Sequence, residues 1–129
     1  MALEVLTPDT FKEKVFNYSE NNEWGYVGEK PAIIDFYADW CGPCKAVAPV
    51  LEDLAFKFKD DITIYKVNVD ESQELAGMFN ITAIPSMLFI PMLGPPSMAQ
   101  GAAPKKDIEQ AIDELLNVKA EIIEEENGD

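Results

Sequence analysis

The chain has 129 residues, of which 47% are hydrophobic and 10% aromatic, a size and composition typical of one domain with a buried core. Acidic residues outnumber basic ones 24 to 10, and the formal net charge of −14 argues against nucleic acid as a partner, because nothing offsets phosphate repulsion. The absence of histidine excludes Ser-His and Cys-His nucleophile pairs and histidine-ligated metals.

Apolar periodicity and turn residues predict strands alternating with helices, followed by a strand pair and a last helix. The first helix begins at Thr7-Pro8, which fit an N-cap and a first helical position. The predicted strands are residues 3–6, 32–38, 62–69, 86–90 and 97–101, and the later helices are residues 43–59, 71–80 and 107–123. The order β-α-β-α-β-α-β-β-α indicates an α/β fold whose first strands are parallel and whose last two are antiparallel.

Residues 17–30 are polar and rich in turn residues, yet they contain Trp24, Tyr26 and Val27. We therefore expect a long connection that folds back on the body. The domain is predicted to cover residues 1–123, with residues 124–129 forming an acidic, frayed tail.

The chain contains no apolar run long enough to span a bilayer, and its first five residues lack the basic and apolar regions of a signal peptide. We expect a cytoplasmic protein with no membrane partner. A leader removed earlier would leave no trace, so a periplasmic location stays open.

The two cysteines of the chain, Cys41 and Cys44, lie three residues apart where an apolar strand ends and a helical pattern begins. A thiol at the start of a helix meets unpaired N–H groups, which favour the thiolate. Such a pair can pass two electrons as a disulfide closes and opens. The alternatives are half of a zinc site and an iron–sulfur site that bridges two chains.

The sequence Trp-Cys-Gly-Pro-Cys-Lys at residues 40–45, at the first strand-to-helix turn, closely resembles thioredoxin. The resemblance runs from about residue 7 to residue 116. It implies a thioredoxin fold, a central mixed β-sheet flanked by helices. It also implies a general protein-disulfide reductase that acts as a monomer on disulfide-containing client proteins. Electrons would come from NADPH through a thioredoxin reductase, and the chain itself would bind no cofactor and no metal.

Within this resemblance Cys41 is the nucleophile and Cys44 the resolving cysteine. Because Cys41 is nearest the end of the helix, we expect it to be the more exposed and more acidic thiol. Gly42 lets a partner backbone come close, and Pro43 holds the turn and suits a helix start.

Asp35 interrupts the apolar strand, where a carboxylate is costly unless it is paired or protonated, so we expect its pKa to be raised. The resemblance implies that Asp35 transfers a proton to and from the resolving cysteine. Lys66 lies on the next parallel strand, where it is expected to modulate Asp35.

The resemblance also places a substrate groove beside the cysteines. Pro85 stands where the family has its cis-proline, and the backbone of Ile84 would pair with an extended substrate segment. Trp40, Gly101 and Ala102 would complete this groove.

The chain departs from the family pattern in several places. The segment before the central strand is longer, and Tyr37 occupies a position often held by a second tryptophan. Alternatives to a general reductase therefore stay open: an exported or specialised reductant, a disulfide-forming relative, or a redox-independent binding subunit that uses the segment around Trp24. The Gly42-Pro43 pair argues against the disulfide-forming relative, in which a histidine often stands there.

Overall fold

The computed structural model describes residues 3–119. Its strands are β1 (Glu4–Val5), β2 (Ala32–Tyr37), β3 (Thr63–Asn68), β4 (Ser86–Ile90) and β5 (Ser97–Gln100), and its helices are α1 (Pro8–Lys14), α2 (Gly42–Lys57), α3 (Gln73–Met78) and α4 (Lys105–Leu116). The predicted order is confirmed, with ends that differ by a few residues.

The strands form one five-stranded mixed sheet in the order β1-β3-β2-β4-β5. Strand β3 pairs in parallel with both β1 and β2, whereas β4 pairs antiparallel with β2 and β5. The predicted parallel start and antiparallel end are therefore both confirmed, and β2 is the central strand. The exposed strand β5 lies at one edge.

Alternating side chains of β2 supply the two faces of the sheet. Ile33 packs with α2 and α4, around Leu51, Leu54 and Ile112. Ile34 points to the opposite face, where α1 contributes a fully buried phenylalanine and α3 a fully buried leucine. The period of two in a strand divides a continuous apolar run between two cores in this way.

The connection at residues 17–30 folds back on the second core, as predicted. The Trp24 ring lies tilted against the Phe16 ring at a centroid distance of 5.0 Å, and it lies edge-on to Phe79 at 6.5 Å. The Tyr18 hydroxyl donates a hydrogen bond to Glu74 of α3 at 2.5 Å. Lys30 Nζ also donates to the Lys59 carbonyl, and the Val27 N–H donates to the Val15 carbonyl, each at 2.9 Å. The segment is thus fastened to the body by aromatic packing and by hydrogen bonds.

The last helix is shorter than predicted. It ends at Leu116, because Asn117 adopts the left-handed conformation with φ 58° and caps the helix. A left-handed residue breaks the helical hydrogen-bond ladder, and asparagine tolerates this conformation better than most residues. Residues 120–123 of the predicted helix and the predicted tail at residues 124–129 lie outside the described residues.

Candidate active site

Cys41 and Cys44 form a disulfide at the beginning of α2, with Cα atoms 5.3 Å apart. Cys41 is the N-cap residue, and its Sγ accepts a hydrogen bond from the Cys44 backbone N–H at 3.2 Å. Gly42 and Pro43 form the start of the helix, where a proline costs no intrahelical hydrogen bond. The helix therefore directs a backbone donor at the Cys41 sulfur, an arrangement that stabilises a thiolate there once the disulfide opens.

Cys41 was expected to be more exposed than Cys44, but the two cysteines are equally buried. Each is only 4% exposed in this disulfide-bonded form, and both pack against Ala38 with Ile84 close by. The disulfide holds both sulfurs against the same apolar surface, which accounts for the equal burial. The N-cap position of Cys41, and not its exposure, distinguishes the pair.

Asp35 lies in β2 on the face that packs toward α2, and it is 1% exposed. Its Oδ1 is buried without a hydrogen-bond partner among the described residues. Burial raises the pKa of Asp35 to about 6, while the positive charge of Lys66 opposes the rise. Lys66 is the register partner of Asp35 in β3.

A cavity of about 160 Å³ links this carboxyl group to the redox pair. Asp35, Cys44 and Lys66 all line it, so the fold brings three of the predicted residues together. The other lining residues, which were not predicted to belong to the site, are Tyr37, Ala38, Asp39, Lys45 and Ala48. The period of two along β2 is the signal that places Tyr37 beside Asp35, since residues i and i+2 share a face.

A second concavity has a volume of about 390 Å³. It is lined by Trp40, Val69 and the loop residues 81–84. Trp40 is 69% exposed, and its indole N–H donates a hydrogen bond to Asp70 Oδ2 at 2.8 Å. The hydrogen bond fixes a large aromatic surface at the rim of the concavity. Asp70 directly follows the predicted strand 62–69, but nothing in the sequence pairs it with Trp40.

The remaining groove residues are only partly brought together. The Ile84–Pro85 peptide bond is cis, as the resemblance implied. Gly101, at φ 94°, donates its backbone N–H to the Pro85 carbonyl at 2.7 Å, which ties the two loops together. Ala102 instead lines a separate depression with Ala46 and Val50. The groove therefore joins Trp40 with Ile84, and Ala102 lies outside that concavity.

Between residues 3 and 119, no group of three or more Cys, Asp or Glu side chains is placed to hold a metal ion. Over the same residues, no helix combines the length and apolar character needed to cross a bilayer.

Comparison with known proteins assigns the family. The family model of thioredoxin matches residues 2–114. This chain belongs to the thioredoxin family. It is 40% identical over 111 residues to the thioredoxin of Borreliella burgdorferi, an alignment that covers 86% of this chain and 95% of that one. It is 32% identical over 115 residues to thioredoxin 1 of a Nostoc species, with 89% and 98% of the two chains covered.

A solved structure gives the same result at the level of the fold. The crystal structure of chloroplastic thioredoxin z aligns with a TM-score of 0.74 at 25% identity, covering 89% of this chain and 95% of that chain. The thioredoxin fold that the resemblance implied is thereby confirmed.

Family membership and the Cys41–Cys44 pair together identify a dithiol–disulfide reductase with a redox-active cysteine pair. Thioredoxins act on disulfide-containing clients and are themselves reduced by thioredoxin reductase. In this chain Trp40, which directly precedes Cys41, lines one concavity, and Asp35 and Cys44 line another. The disulfide is therefore bordered by the exposed Trp40 side chain and by a cavity that contains the Asp35 carboxyl group.

Proposed function

We propose that this thioredoxin is a general protein-disulfide reductase in which Cys41 attacks the client, Cys44 resolves the intermediate and Asp35 carries the proton. NADPH would supply electrons through a thioredoxin reductase, with no cofactor resident in the chain. The proposal places the protein in the cytoplasm as a monomer. It rests most on one observation, the Cys41 sulfur at the N-cap of α2 accepting the Cys44 backbone N–H.

In the first step the Cys41 thiolate attacks one sulfur of the client disulfide. A bond forms between Cys41 Sγ and that sulfur, the client S–S bond breaks, and the other client sulfur leaves as a thiolate. Trp40 and Ile84 line the concavity beside Cys41, where an extended client segment would lie. The helix start stabilises the attacking thiolate before the bond forms.

In the second step the Cys44 thiol gives its proton to the Asp35 carboxylate and attacks Cys41 Sγ. The bond between Cys41 and the client breaks, and the client sulfur leaves as a thiolate that takes up a proton. The client has then gained two electrons, and the chain is left with the Cys41–Cys44 disulfide. A carboxyl group with a pKa of about 6 suits this task, because it can accept and release a proton near neutral pH.

The order of attack is tested by trapping. Cys44→Ser and Cys41→Ser, each prepared reduced, are incubated with insulin and examined by intact mass and peptide mapping. We expect Cys44→Ser to accumulate a stable adduct through Cys41, because no thiol remains to displace the client. We expect Cys41→Ser to form few adducts, and both variants to lose insulin turnover with NADPH and a thioredoxin reductase. Adducts formed mainly through Cys44 would reverse the two roles.

The same preparation separates the competing functions. A general reductase turns over insulin, and its thiols reduce glutathione disulfide at equilibrium. A disulfide-forming relative would instead be kept reduced, because glutathione would give it electrons. If the protein is a redox-independent binding subunit, even the wild type would not turn over insulin.

A further inference from the structure

Lys66 is held by an aromatic ring. Its Nζ lies 4.2 Å from the centroid of the Tyr37 ring, within the range of a cation–π contact. Tyr37 follows Asp35 by two residues on the same face of β2, and Lys66 is the register partner of Asp35 in β3. The three side chains therefore occupy adjacent positions at the carboxyl-terminal end of the two central parallel strands.

No carboxylate of the described residues forms an ion pair with Lys66, whose Nζ also makes no side-chain hydrogen bond there. A lysine on a strand has four rotatable bonds and a strong preference for hydration, so an unheld ammonium would spend much of its time in bulk solvent. The Tyr37 ring gives it a defined position instead. That position lies in the wall of the cavity that Asp35 and Cys44 share.

The charged groups that face this cavity come from three elements. β2 and the residues after it contribute Asp35 and Asp39, β3 contributes Lys66, and α2 contributes Lys45. On the remaining side of Asp35, β4 places Met87 in register, which is buried and uncharged. Lys66 is thus the one cation among the cavity residues whose strand register sets it directly beside Asp35.

We propose that Tyr37 is a positioning residue for the redox reaction, whose ring holds the Lys66 ammonium beside the cavity that Asp35 and Cys44 share. The consequence is that Asp35 loses its proton at a lower pH than its burial alone would set. The carboxylate is then available to accept the Cys44 proton over a wider pH range. This last consequence rests on the proton transfer by Asp35 proposed above, but the effect on the titration of Asp35 does not.

The alternative role of Tyr37 is plain packing over the cavity. It predicts that removing the ring changes the titration midpoint of Asp35 in the opposite direction. If the ring merely excludes water, its removal hydrates Asp35 and lowers its titration midpoint. If the ring positions Lys66, its removal frees the ammonium and raises the midpoint. The sign of the change therefore distinguishes the two roles without reference to activity.

The experiment measures the titration of Asp35 by carboxyl ¹³C NMR in the oxidised protein, with Asp35→Asn to assign the signal. We expect Tyr37→Leu to raise the midpoint by about half a pH unit, since an opposite charge at close range shifts a carboxyl pKa by a unit or more. Tyr37→Phe keeps the ring and should leave the midpoint unchanged. Lys66→Met should raise it at least as far as Tyr37→Leu, and adding Tyr37→Leu to Lys66→Met should raise it no further.

A lowered or unchanged midpoint in Tyr37→Leu, or an equal rise in the Lys66→Met background, would overturn the proposal.

The pH profile of mixed-disulfide resolution tests the functional consequence separately. Resolution should follow the shifted midpoint in Tyr37→Leu and lose that pH dependence in Asp35→Asn. A resolution profile unaffected by Asp35→Asn would refute proton transfer by Asp35, while the NMR result would still decide the role of Tyr37.

Discussion

The carboxyl group of Asp35 couples the stability of this fold to pH. Its pKa in the folded chain is about 6, against an ordinary value of 3.8, because burial penalises the charged form. Between these two values the folded chain binds more protons than the unfolded chain, so stability falls as pH rises through that window. Well above pH 6 the folded chain carries the full free-energy cost of the buried Asp35 charge. Well below the ordinary pKa that cost vanishes.

Replacing Asp35 by asparagine should therefore stabilise the protein at pH 7. A pKa difference of about two units corresponds to about 3 kcal/mol in the free energy of unfolding, which sets the scale of the gain. Urea unfolding of the wild type and of Asp35→Asn at pH 7 and at pH 3.5 measures it. We expect the difference to be largest at pH 7 and small at pH 3.5, where the aspartate is protonated in the folded chain and mostly protonated in the unfolded chain. Asp39→Asn removes an exposed carboxylate from the same cavity and is the control, which should show no comparable gain in the free energy of unfolding. If Asp35→Asn stabilises the protein equally at both pH values, the titration of Asp35 is not the cause.

At the scale of the elements, the helices differ in whether the side chain of the N-cap residue accepts a hydrogen bond from the first turn. Thr7 and Thr10 form a reciprocal capping box at the start of α1, with the Thr10 N–H donating to Thr7 Oγ1 at 3.2 Å and the Thr7 N–H donating to Thr10 Oγ1 at 2.8 Å. Ser72, the N-cap of α3, makes no such side-chain hydrogen bond. Cys41 at the start of α2 does make one, so the same position that caps a helix elsewhere holds a reactive sulfur here.

Thr7→Ala should reduce the free energy of unfolding by about 1 kcal/mol, the usual cost of losing an N-cap hydrogen bond. Thr7→Ser keeps a hydroxyl and should recover most of the loss. Ser72→Ala is the matched control, because that cap position has no side-chain hydrogen bond to lose. Thermal or urea unfolding of the three variants provides the measurement. Equal losses in Thr7→Ala and Ser72→Ala would show that the capping box contributes nothing of its own.

At the scale of the whole molecule, the sheet separates two cores, and the segment at residues 17–30 closes one of them. Trp24 joins Phe16 and Phe79, and Phe79 continues the aromatic contact to Phe36 of β2 at 5.7 Å. Phe36 is fully buried in the central strand that also carries Asp35. The longer segment is therefore part of the packing of the fold, on the sheet face opposite Asp35.

Trp24→Ala should lower the free energy of unfolding by about 2–3 kcal/mol, since it removes a large, partly buried aromatic side chain. Insulin turnover per folded molecule should stay within twofold of the wild type, because the aromatic cluster lies on the opposite face of the sheet. Glu23→Ala, at the exposed neighbouring position, is the control and should change neither quantity. Turnover that falls far more than the folded fraction would instead assign the segment a part in client or reductase binding.

The sequence by itself determined the order of the elements and the redox pair. Alternation of apolar residues and the turn signals are local properties, so β2, α2 and β4 could be placed within a few residues of their observed bounds. The three-residue spacing of Cys41 and Cys44 at a helix start is equally local. The cis bond before Pro85 was available only through the resemblance to the family.

The tertiary structure alone decided which side chains meet. The register of β2 against β3 sets Lys66 beside Asp35, and a slip by one residue would have sent Lys66 to the other face of the sheet. The position of its ammonium over the Tyr37 ring and the hydrogen bond from Trp40 to Asp70 depend on rotamers chosen by packing. These contacts join residues 29 and 30 positions apart in the chain, and no local pattern encodes such a distance. The positions of the two cysteines therefore follow from neighbouring residues in the sequence. The groups that surround them are set by strand pairing and side-chain packing.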